Sequence, residues 1–148
     1  MRIYLDVCCL NRPFDDQSQE RIRMESEAVE LVFELCERGT HRWVSSTAIE
    51  EEASLNPDID QRMKMEAMLK LADERLQADD SVLGSARAYR PQGIRGFDAL
   101  HVALAECGGC DLLLTVDDDL IRKARRLNPP LRVRVENPAR WLLESGVS

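Results

Sequence analysis

Apolar positions along the chain alternate between short continuous runs and longer stretches in which they recur at helical spacing. The short runs predict strands, and Asp111–Val116 includes Leu-Leu-Leu-Thr-Val, typical of a strand buried on both faces of a parallel sheet. The last run alternates and is basic, which indicates an edge strand. The predicted strands are Arg2–Val7, Arg42–Ser45, Asp111–Val116 and Leu131–Val135.

Helical spacing of apolar residues fills the segments between these strands. With Thr47 as the cap of the second helix, Glu50 falls at the third helical position, as a capping-box partner. Strands that alternate with helices predict an α/β domain with a mostly parallel sheet, in one domain over residues 1–148. The predicted helices are Gln19–Arg38, Ser46 or Thr47 to Ser54, Asp58–Gln77, Asp80 or Ser81 to Tyr89, Gly96–Cys107, Asp118–Arg126 and Asn137–Glu144.

Composition narrows the class of protein. Apolar residues make up 44% and charged residues 32%, the balance of a folded globular chain. No apolar run approaches the ~18 residues of a membrane span, and Asp6 stands where a signal peptide needs apolar residues. Five cysteines is an odd count, which favours reduced thiols. We therefore expect a cytoplasmic protein with no membrane association.

The formal net charge of −7 argues against a protein that coats nucleic acid by bulk charge. It is compatible with a nucleic-acid enzyme, because carboxylates that hold divalent metal add negative charge that the ions offset. Two stretches are nonetheless basic. Residues 87–95 contain three arginines and no acid, and residues 120–140 contain seven basic residues and one acid.

Acidic residues fall where the ligand edge of a parallel sheet is expected, outside the carboxyl ends of the strands. Asp6 ends the first strand, Glu50–Glu52 follow the second, and Asp117 follows Leu-Leu-Leu-Thr-Val. Asp98 lies in the first turn of the helix that leads into that strand. A single acid of this kind would be read as a loop or helix-start residue, but four positions at one rim predict a metal site.

Oxygen ligands without a matching set of cysteines or histidines favour Mg²⁺ or Mn²⁺ over zinc. Two such ions about 3.5–4 Å apart could stabilise both the attacking and the leaving oxygen of a phosphodiester. The acidic rim therefore points to phosphodiester chemistry.

Four stretches of the chain resemble the PIN-domain family in order and spacing, over nearly the whole length. They are Ile3-Tyr4-Leu5-Asp6, Val44-Ser45-Ser46 leading to Glu50-Glu51, Phe97-Asp98-Ala99-Leu100-His101-Val102-Ala103-Leu104-Ala105, and Leu114-Thr115-Val116-Asp117. The third is the most specific. The resemblance implies a PIN-like three-layer α/β/α fold, a pocket for Mg²⁺ or Mn²⁺ and endoribonuclease activity, and many small members are toxins of toxin–antitoxin pairs.

Carried over by position, Asp6, Asp98 and Asp117 match the acidic residues of the family. Counting from Val44-Ser45 places the second acid at Glu51, with Glu50 as the alternative. Neighbours on a helix point about 100° apart, so only one of the two can face the pocket.

Three further positions of the resemblance carry expectations. Thr115 resembles the hydroxyl residue before the last acid and would bind metal-bound water or phosphate. Asp119 is either an auxiliary acid or a helix-start acid stabilised by the helix dipole. Near Cys8 the family pattern would have a small hydroxyl residue, so the first loop departs from it.

Two hypotheses about function follow. The first is a metal-dependent ribonuclease selective for single-stranded RNA, with ions held by Asp6, Glu51, Asp98 and Asp117. The second is a non-catalytic module of the same fold that binds RNA or protein. The expected partners are RNA, an antitoxin protein and a second copy of the chain, the last through Gln19–Arg38 and Asp58–Gln77. The candidate phosphate contacts are Arg12, Arg87, Arg90 and Arg95.

Other readings of the polar residues fit less well. A receiver domain needs a lysine after its last strand, and the three lysines, at 64, 70 and 123, lie elsewhere. A haloacid-dehalogenase-type phosphatase needs a second aspartate where Cys8 stands. Cys107-Gly108-Gly109-Cys110 lacks the second pair of a zinc ribbon and indicates a turn. His101 lies three residues after Asp98, as a satisfied core histidine or as a partner behind the acids.

Overall fold

A computed structural model of the chain describes residues 1–146; the last two residues of the predicted domain, 147 and 148, lie outside the described residues. Its five strands form one sheet in the order β3-β2-β1-β4-β5, and all four pairings are parallel. This confirms the α/β class, and the last strand is an edge strand as predicted. The strands are β1 (Arg2–Leu5), β2 (Arg42–Ser46), β3 (Glu74–Leu76), β4 (Leu112–Leu114) and β5 (Arg134–Glu136).

Helices cover the sheet in two groups, giving three layers. The helices are α1 (Val7–Asn11), α2 (Glu20–Glu37), α3 (Thr47–Ser54), α4 (Ile59–Leu69), α5 (Asp80–Tyr89), α6 (Gly96–Cys107), α7 (Asp118–Arg125) and α8 (Pro138–Ser145). In one group α2 contacts α1 and α8, and in the other α6 contacts α3 and α5. Among residues 1–146, none of the helices has the length and apolar content to cross a membrane.

The centre of the sheet sets the position of the site. Ile3, Tyr4 and Leu5 of β1 are fully buried, as are all three residues of β4, so both strands pack apolar side chains on both faces. Tyr4 pairs with Leu113, so the two strands end at the same level. Chain order reverses at β1, which leaves a crevice between the carboxyl ends of β1 and β4.

Several predicted boundaries are wrong, including those of the last two strands, since β4 ends at Leu114 and not at Val116 and β5 begins at Arg134 and not at Leu131. The helix predicted over Asp58–Gln77 stops at Leu69, and β3 follows within the same stretch. The backbone N–H of Asp73 donates to the carbonyl of Trp43, and the Asp73 carboxylate accepts from the Trp43 N–H, so the chain is drawn to the edge of β2. The first strand stops at Leu5, because Asp6 caps a helix that begins at Val7.

Candidate metal centre

Asp6 lies at the end of β1 and is 5% exposed. Its backbone N–H donates to the carbonyl of Leu114 at 3.0 Å, which fixes it against the end of β4. Its Oδ1 accepts the N–H of Val7 at 2.8 Å, as the cap of α1. The sheet and the short helix thus hold this carboxylate from both sides.

Thr115, immediately after β4, holds the other oxygen of Asp6. Its Oγ1 donates to Asp6 Oδ2 at 2.9 Å and accepts the backbone N–H of Asp117 at 3.2 Å. Thr115 is fully buried, so its hydroxyl orients two acids and does not face a ligand directly. The thiol of Cys8 also contacts Asp6 Oδ2, at 3.3 Å, and Thr115 Oγ1, at 3.2 Å. A weak S–H donor therefore fills the position where a hydroxyl was expected.

Asp117 follows Thr115 and Val116 and is exposed at the rim. Its Oδ1 caps α7 by accepting the N–H groups of Asp119 and Leu120 at 3.0 and 3.1 Å. Asp119 is different, because it pairs with Arg122 and with Lys123 on the next turn, and these cations lower the pKa of its carboxyl. The ion pairs fit the helix-start interpretation of Asp119.

Asp98 lies in the first turn of α6 and is half-buried. Burial, together with the charges of Asp6, Asp117 and Glu52, raises the pKa of its carboxyl from 3.8 to about 6, against a lowering by His101. The charges that help to raise this pKa belong to the other acids of the rim. Asp98 is therefore close enough to Asp6 and Asp117 for their charges to act on it.

The acid contributed by α3 is Glu52, and the choice of Glu51 needs correction. Ser46 caps α3, and at about 100° per residue the buried face is set by Ala48, Ile49 and Ala53. Glu52 lies within about 40° of the centre of that face, whereas Glu51 lies about 140° away and is exposed.

Glu50, the alternative second acid, also points away from the rim. Its carboxylate pairs with Arg75 of β3 at 2.8 Å. The sequence signal for Glu52 is the helical phase of the apolar residues Ala48, Ile49 and Ala53, whose face it borders.

His101 of α6 is fully buried and joins Glu52 to the sheet. Its Nε2 lies 2.6 Å from Glu52 Oε1 and 3.8 Å from Asp6 Oδ1. Its Nδ1 lies 2.7 Å from the hydroxyl of Tyr4, which lies 2.6 Å from Ser46 Oγ. Ser46 Oγ in turn accepts the N–H of Ile49 in α3.

Counting donors and acceptors gives this series of hydrogen bonds one direction. The Glu52 carboxylate can only accept, so Nε2 of a neutral His101 carries the proton, and Nδ1 accepts from Tyr4. Burial keeps the pKa of the Tyr4 hydroxyl well above its ordinary value, so Tyr4 remains a donor. Ser46 then donates to the Tyr4 oxygen. Each side chain in this series of hydrogen bonds therefore has a partner, and the series holds Glu52 at the rim.

The donor set fits a hard divalent cation. A carboxylate oxygen of Asp6 and one of Glu52 lie within 4.8 Å of each other and of a ring nitrogen of the supporting His101, and Asp98 and Asp117 carry further carboxylates at the same edge. Over residues 1–146, no arginine or lysine pairs with Asp6, Glu52, Asp98 or Asp117. Carboxylates crowded without a cation raise one another's pKa values, and a metal ion relieves that repulsion.

The arginines predicted as phosphate contacts differ in their surroundings. Arg12 is engaged within the protein: its Nε donates to Glu25 at 2.9 Å and its Nη1 to Asp15 at 2.8 Å. Arg95, at the cap position of α6, is exposed, and no acid pairs with it among the described residues. Of the two, only Arg95 presents a free guanidinium beside the acidic rim.

Comparison with known proteins adds evidence about the fold. No protein-family model and no curated protein matches the chain. Among solved structures, a chain of the crystal structure of VapBC2 from Rickettsia felis bound to a DNA fragment from their promoter is similar, with a TM-score of 0.60 at 13% identity. A chain of the structure of VapBC-1 from nontypeable Haemophilus influenzae is similar with a TM-score of 0.61 at 15% identity. Each likeness covers 93% of this chain and 98% of the other.

The fold is PIN-like. The three-layer α/β/α architecture expected from the motif resemblance is confirmed, and the likeness extends over nearly the whole length of both neighbours. At such low identity the likeness concerns architecture, so the chemistry has to be argued from the side chains of this chain.

Proposed function

We propose that this protein is a Mg²⁺- or Mn²⁺-dependent endoribonuclease that cleaves phosphodiester bonds of single-stranded RNA. One observation carries the proposal. Four carboxylates from four segments of the chain lie at the carboxyl edge of β1 and β4, and no arginine or lysine of residues 1–146 pairs with them. The raised pKa of Asp98 reflects its burial first and the charges of Asp6 and Asp117 second, and perturbed acids of this kind are typical of functional sites.

The residues that would hold metal are Asp6, Glu52, Asp98 and Asp117. An ion held by these residues would supply charge neutralisation at the phosphodiester and would acidify a bound water molecule. The chain itself supplies the orientation of the ligands. Thr115 holds Asp6, the backbone of α7 holds Asp117, and His101 holds Glu52. Supporting hydrogen bonds of this kind fix the direction of ligand oxygens.

The decisive experiment is cleavage of a fluorescent single-stranded RNA in EDTA, Mg²⁺ and Mn²⁺. We expect cleavage only with metal, and a loss of at least ~100-fold in Asp98→Asn, if the ion contributes several kcal/mol to the transition state. Glu51→Gln is the matched control, because it removes an exposed carboxylate from the helix that carries Glu52 but on its outer face, and it should retain activity. Cleavage in EDTA, or full activity of Asp98→Asn, would contradict the proposal. Metal and RNA binding without cleavage would favour the non-catalytic alternative.

Two partners belong to the proposal. The resemblance to small PIN-type toxins, and the architecture shared with chains of VapBC2 and VapBC-1, support an antitoxin encoded beside this protein. A homodimer is supported by Leu55, Ile59 and Met63, which present exposed apolar side chains along α3 and α4 at 67%, 60% and 62% exposure. Light scattering after size exclusion would test the dimer, and Ile59→Glu should give monomers.

A further inference from the structure

A cleft of 360 Å³ opens between the end of α5 and the start of α6. Its walls carry Arg87, Arg90 and Arg95, all exposed, around small apolar side chains that include Ala86 and Ala99. The small floor leaves room for a group of modest size between the three guanidinium groups. The cleft belongs to no part of the acidic rim, although it shares helix α6 with it.

These arginines are unpaired in a protein that pairs most of its arginines. Among residues 1–146, no acid or carbonyl oxygen accepts a hydrogen bond from the side chains of Arg87, Arg90 or Arg95. The second basic stretch of the sequence behaves differently. Its arginines are mostly taken up in ion pairs with Asp119, Glu106, Glu136 and Glu144. A chain of net charge −7 has acids to spare, so three free guanidinium groups in one cleft indicate a place for an external anion.

The cleft adjoins the site of the proposed chemistry. Arg95 precedes Asp98 by three residues at the start of α6, which corresponds to about 4.5 Å along the helix axis. An anion in the cleft would therefore belong to a ligand that also reaches the carboxylates. A single nucleic-acid strand carries a phosphate on each side of the one that reacts, and guanidinium groups bind phosphate oxygens in paired hydrogen bonds.

We propose that the cleft lined by Arg87, Arg90 and Arg95 binds a backbone phosphate of an RNA strand, beside the phosphate that lies at the carboxylates. The inference rests on the proposed function for the identity of the strand. It adds a specific anchoring site, which lets a protein of negative net charge hold a polyanion in register. An acidic peptide could also meet three arginines, but it would bring further carboxylates to the acidic rim, whereas an RNA strand brings there the phosphodiester that the metal site would act on.

The test measures binding without hydrolysis. Fluorescence anisotropy of a labelled oligouridylate is followed in EDTA over a series of salt concentrations. The triple variant Arg87→Gln/Arg90→Gln/Arg95→Gln is compared with Arg23→Gln/Arg126→Gln/Arg132→Gln, which removes the same charge from exposed arginines elsewhere. We expect the cleft variant to bind the oligouridylate at least ~10-fold more weakly than the control variant does at low salt. Its plot of log affinity against log salt should lose about 0.7 in slope for each phosphate contact removed.

Equal affinity and equal salt slope in the two triple variants would overturn the inference. Poly-glutamate is the second probe: binding of poly-glutamate that depends on the three arginines, with oligouridylate binding independent of them, would also overturn it and assign the cleft to an acidic peptide. Circular dichroism establishes that both variants are folded. The binding assay contains no metal. An absence of metal-dependent cleavage would therefore refute the proposed function without changing the measured binding, and an absence of binding in the cleft would leave the cleavage result unchanged.

Discussion

The protein contains two groups of acids that are withdrawn from water, and they are built in opposite ways. In the first, which we call the paired cluster, Glu25 is 2% exposed and Glu136 is 4% exposed. Glu25 accepts from Arg12, Arg21 and the side-chain amide of Asn137. Glu136 accepts from Arg125 at 2.7 Å and from Arg134 at 3.3 Å. Each buried carboxylate has two guanidinium partners.

The acidic rim, formed by Asp6, Glu52, Asp98 and Asp117, also consists of carboxylates, but no arginine or lysine of residues 1–146 pairs with them. Asp6 is as buried as Glu136, yet its partners are a backbone N–H, a threonine hydroxyl and a thiol. The pKa of Asp98 is raised by burial and by the charges of Asp6, Asp117 and Glu52, and no arginine or lysine of residues 1–146 forms an ion pair with it. Burying a carboxylate is costly unless it is paired, so a cluster that folds without internal cations is suited to a cation from solution. The comparison separates acids that hold the fold together from acids that are available for chemistry.

Removing Glu25 should give the largest effect on stability, because it breaks the paired cluster. In Glu25→Ala, Arg12 and Asn137 lose their buried partner, and we expect the free energy of unfolding to fall by about 3 kcal/mol, the lower end for a broken buried pair since Arg12 is partly exposed. For a chain of this size that corresponds to a melting temperature lower by about 6–12 °C. Urea denaturation provides the measurement.

Glu25→Gln is the control for this prediction, since it keeps a hydrogen-bonding oxygen and removes the charge. It should lose less stability than the alanine variant. Metal affinity should change little in either variant if the two groups of acids are separate. A melting temperature unchanged in Glu25→Ala would show that the arginines have no structural need of this acid.

Asp98→Asn should raise the free energy of unfolding in metal-free buffer, because it removes one half-buried negative charge from the acidic rim. The pKa of Asp98 is raised to about 6 in the folded protein, so the folded state prefers its protonated form. The ionised carboxyl therefore destabilises the fold fully above about pH 6, and the penalty disappears as the pH falls towards 4. At pH 7 we expect Asp98→Asn to be more stable by ~1–2 kcal/mol, after discounting for solvent screening of a partly exposed group.

Thermal denaturation in EDTA between pH 4 and pH 8 measures this difference. The melting temperatures of the variant and the parent should converge at the acid end and separate through pH 6. Mn²⁺ should stabilise the parent more than the variant, since binding to the folded state adds stability. Parallel curves at every pH would show that Asp98 is not crowded by its neighbours.

Much of the fold was predictable because its strands have strong local signals. Strands β1, β2 and β4 are buried apolar runs, and helices such as α2 and α6 have clear periodicity and glycine ends. The region after Leu69 was not, because Leu71 and Leu76 continue a helical spacing while the actual structure is an exposed edge strand that forms only by pairing with β2. Local pattern does not contain that pairing.

The residues of the candidate site also divide into those that the sequence pattern placed and those that it did not. Strand ends placed Asp6 and Asp117, and the helix leading into β4 placed Asp98, since the ligand edge of a parallel sheet is a rule of topology. Glu52 was missed because the second acid was placed by counting from Val44-Ser45, whereas the phase of the buried residues Ala48, Ile49 and Ala53 decides which of three consecutive glutamates faces inward. The pairing of Arg12 with Glu25 could not be found from sequence, because it depends on how α2 packs against the loop after α1.

Tyr4→Phe should have the smallest effect, and it asks whether the acidic rim depends on orientation instead of charge balance. The change removes one buried hydroxyl, so His101 Nδ1 loses its donor and Ser46 loses an acceptor. We expect a loss of ~1 kcal/mol of stability, typical of one hydrogen bond. Glu52 should then be held less firmly, and Mn²⁺ affinity should fall by about 3- to 10-fold, at or below the lower end for residues that support a metal ligand.

Tyr89→Phe is the matched control, because Tyr89 is also buried and its hydroxyl has no hydrogen-bond partner among residues 1–146. It should leave Mn²⁺ affinity unchanged. Isothermal titration with Mn²⁺ and thermal denaturation in EDTA are run on both variants. If Tyr4→Phe lowers the melting temperature but binds Mn²⁺ like Tyr89→Phe, the hydrogen-bonded chain through His101 stabilises the core without directing Glu52. If affinity falls in Tyr4→Phe alone, then the rim, which lacks internal cations, is held in place by neutral donors that leave its charge for a metal ion.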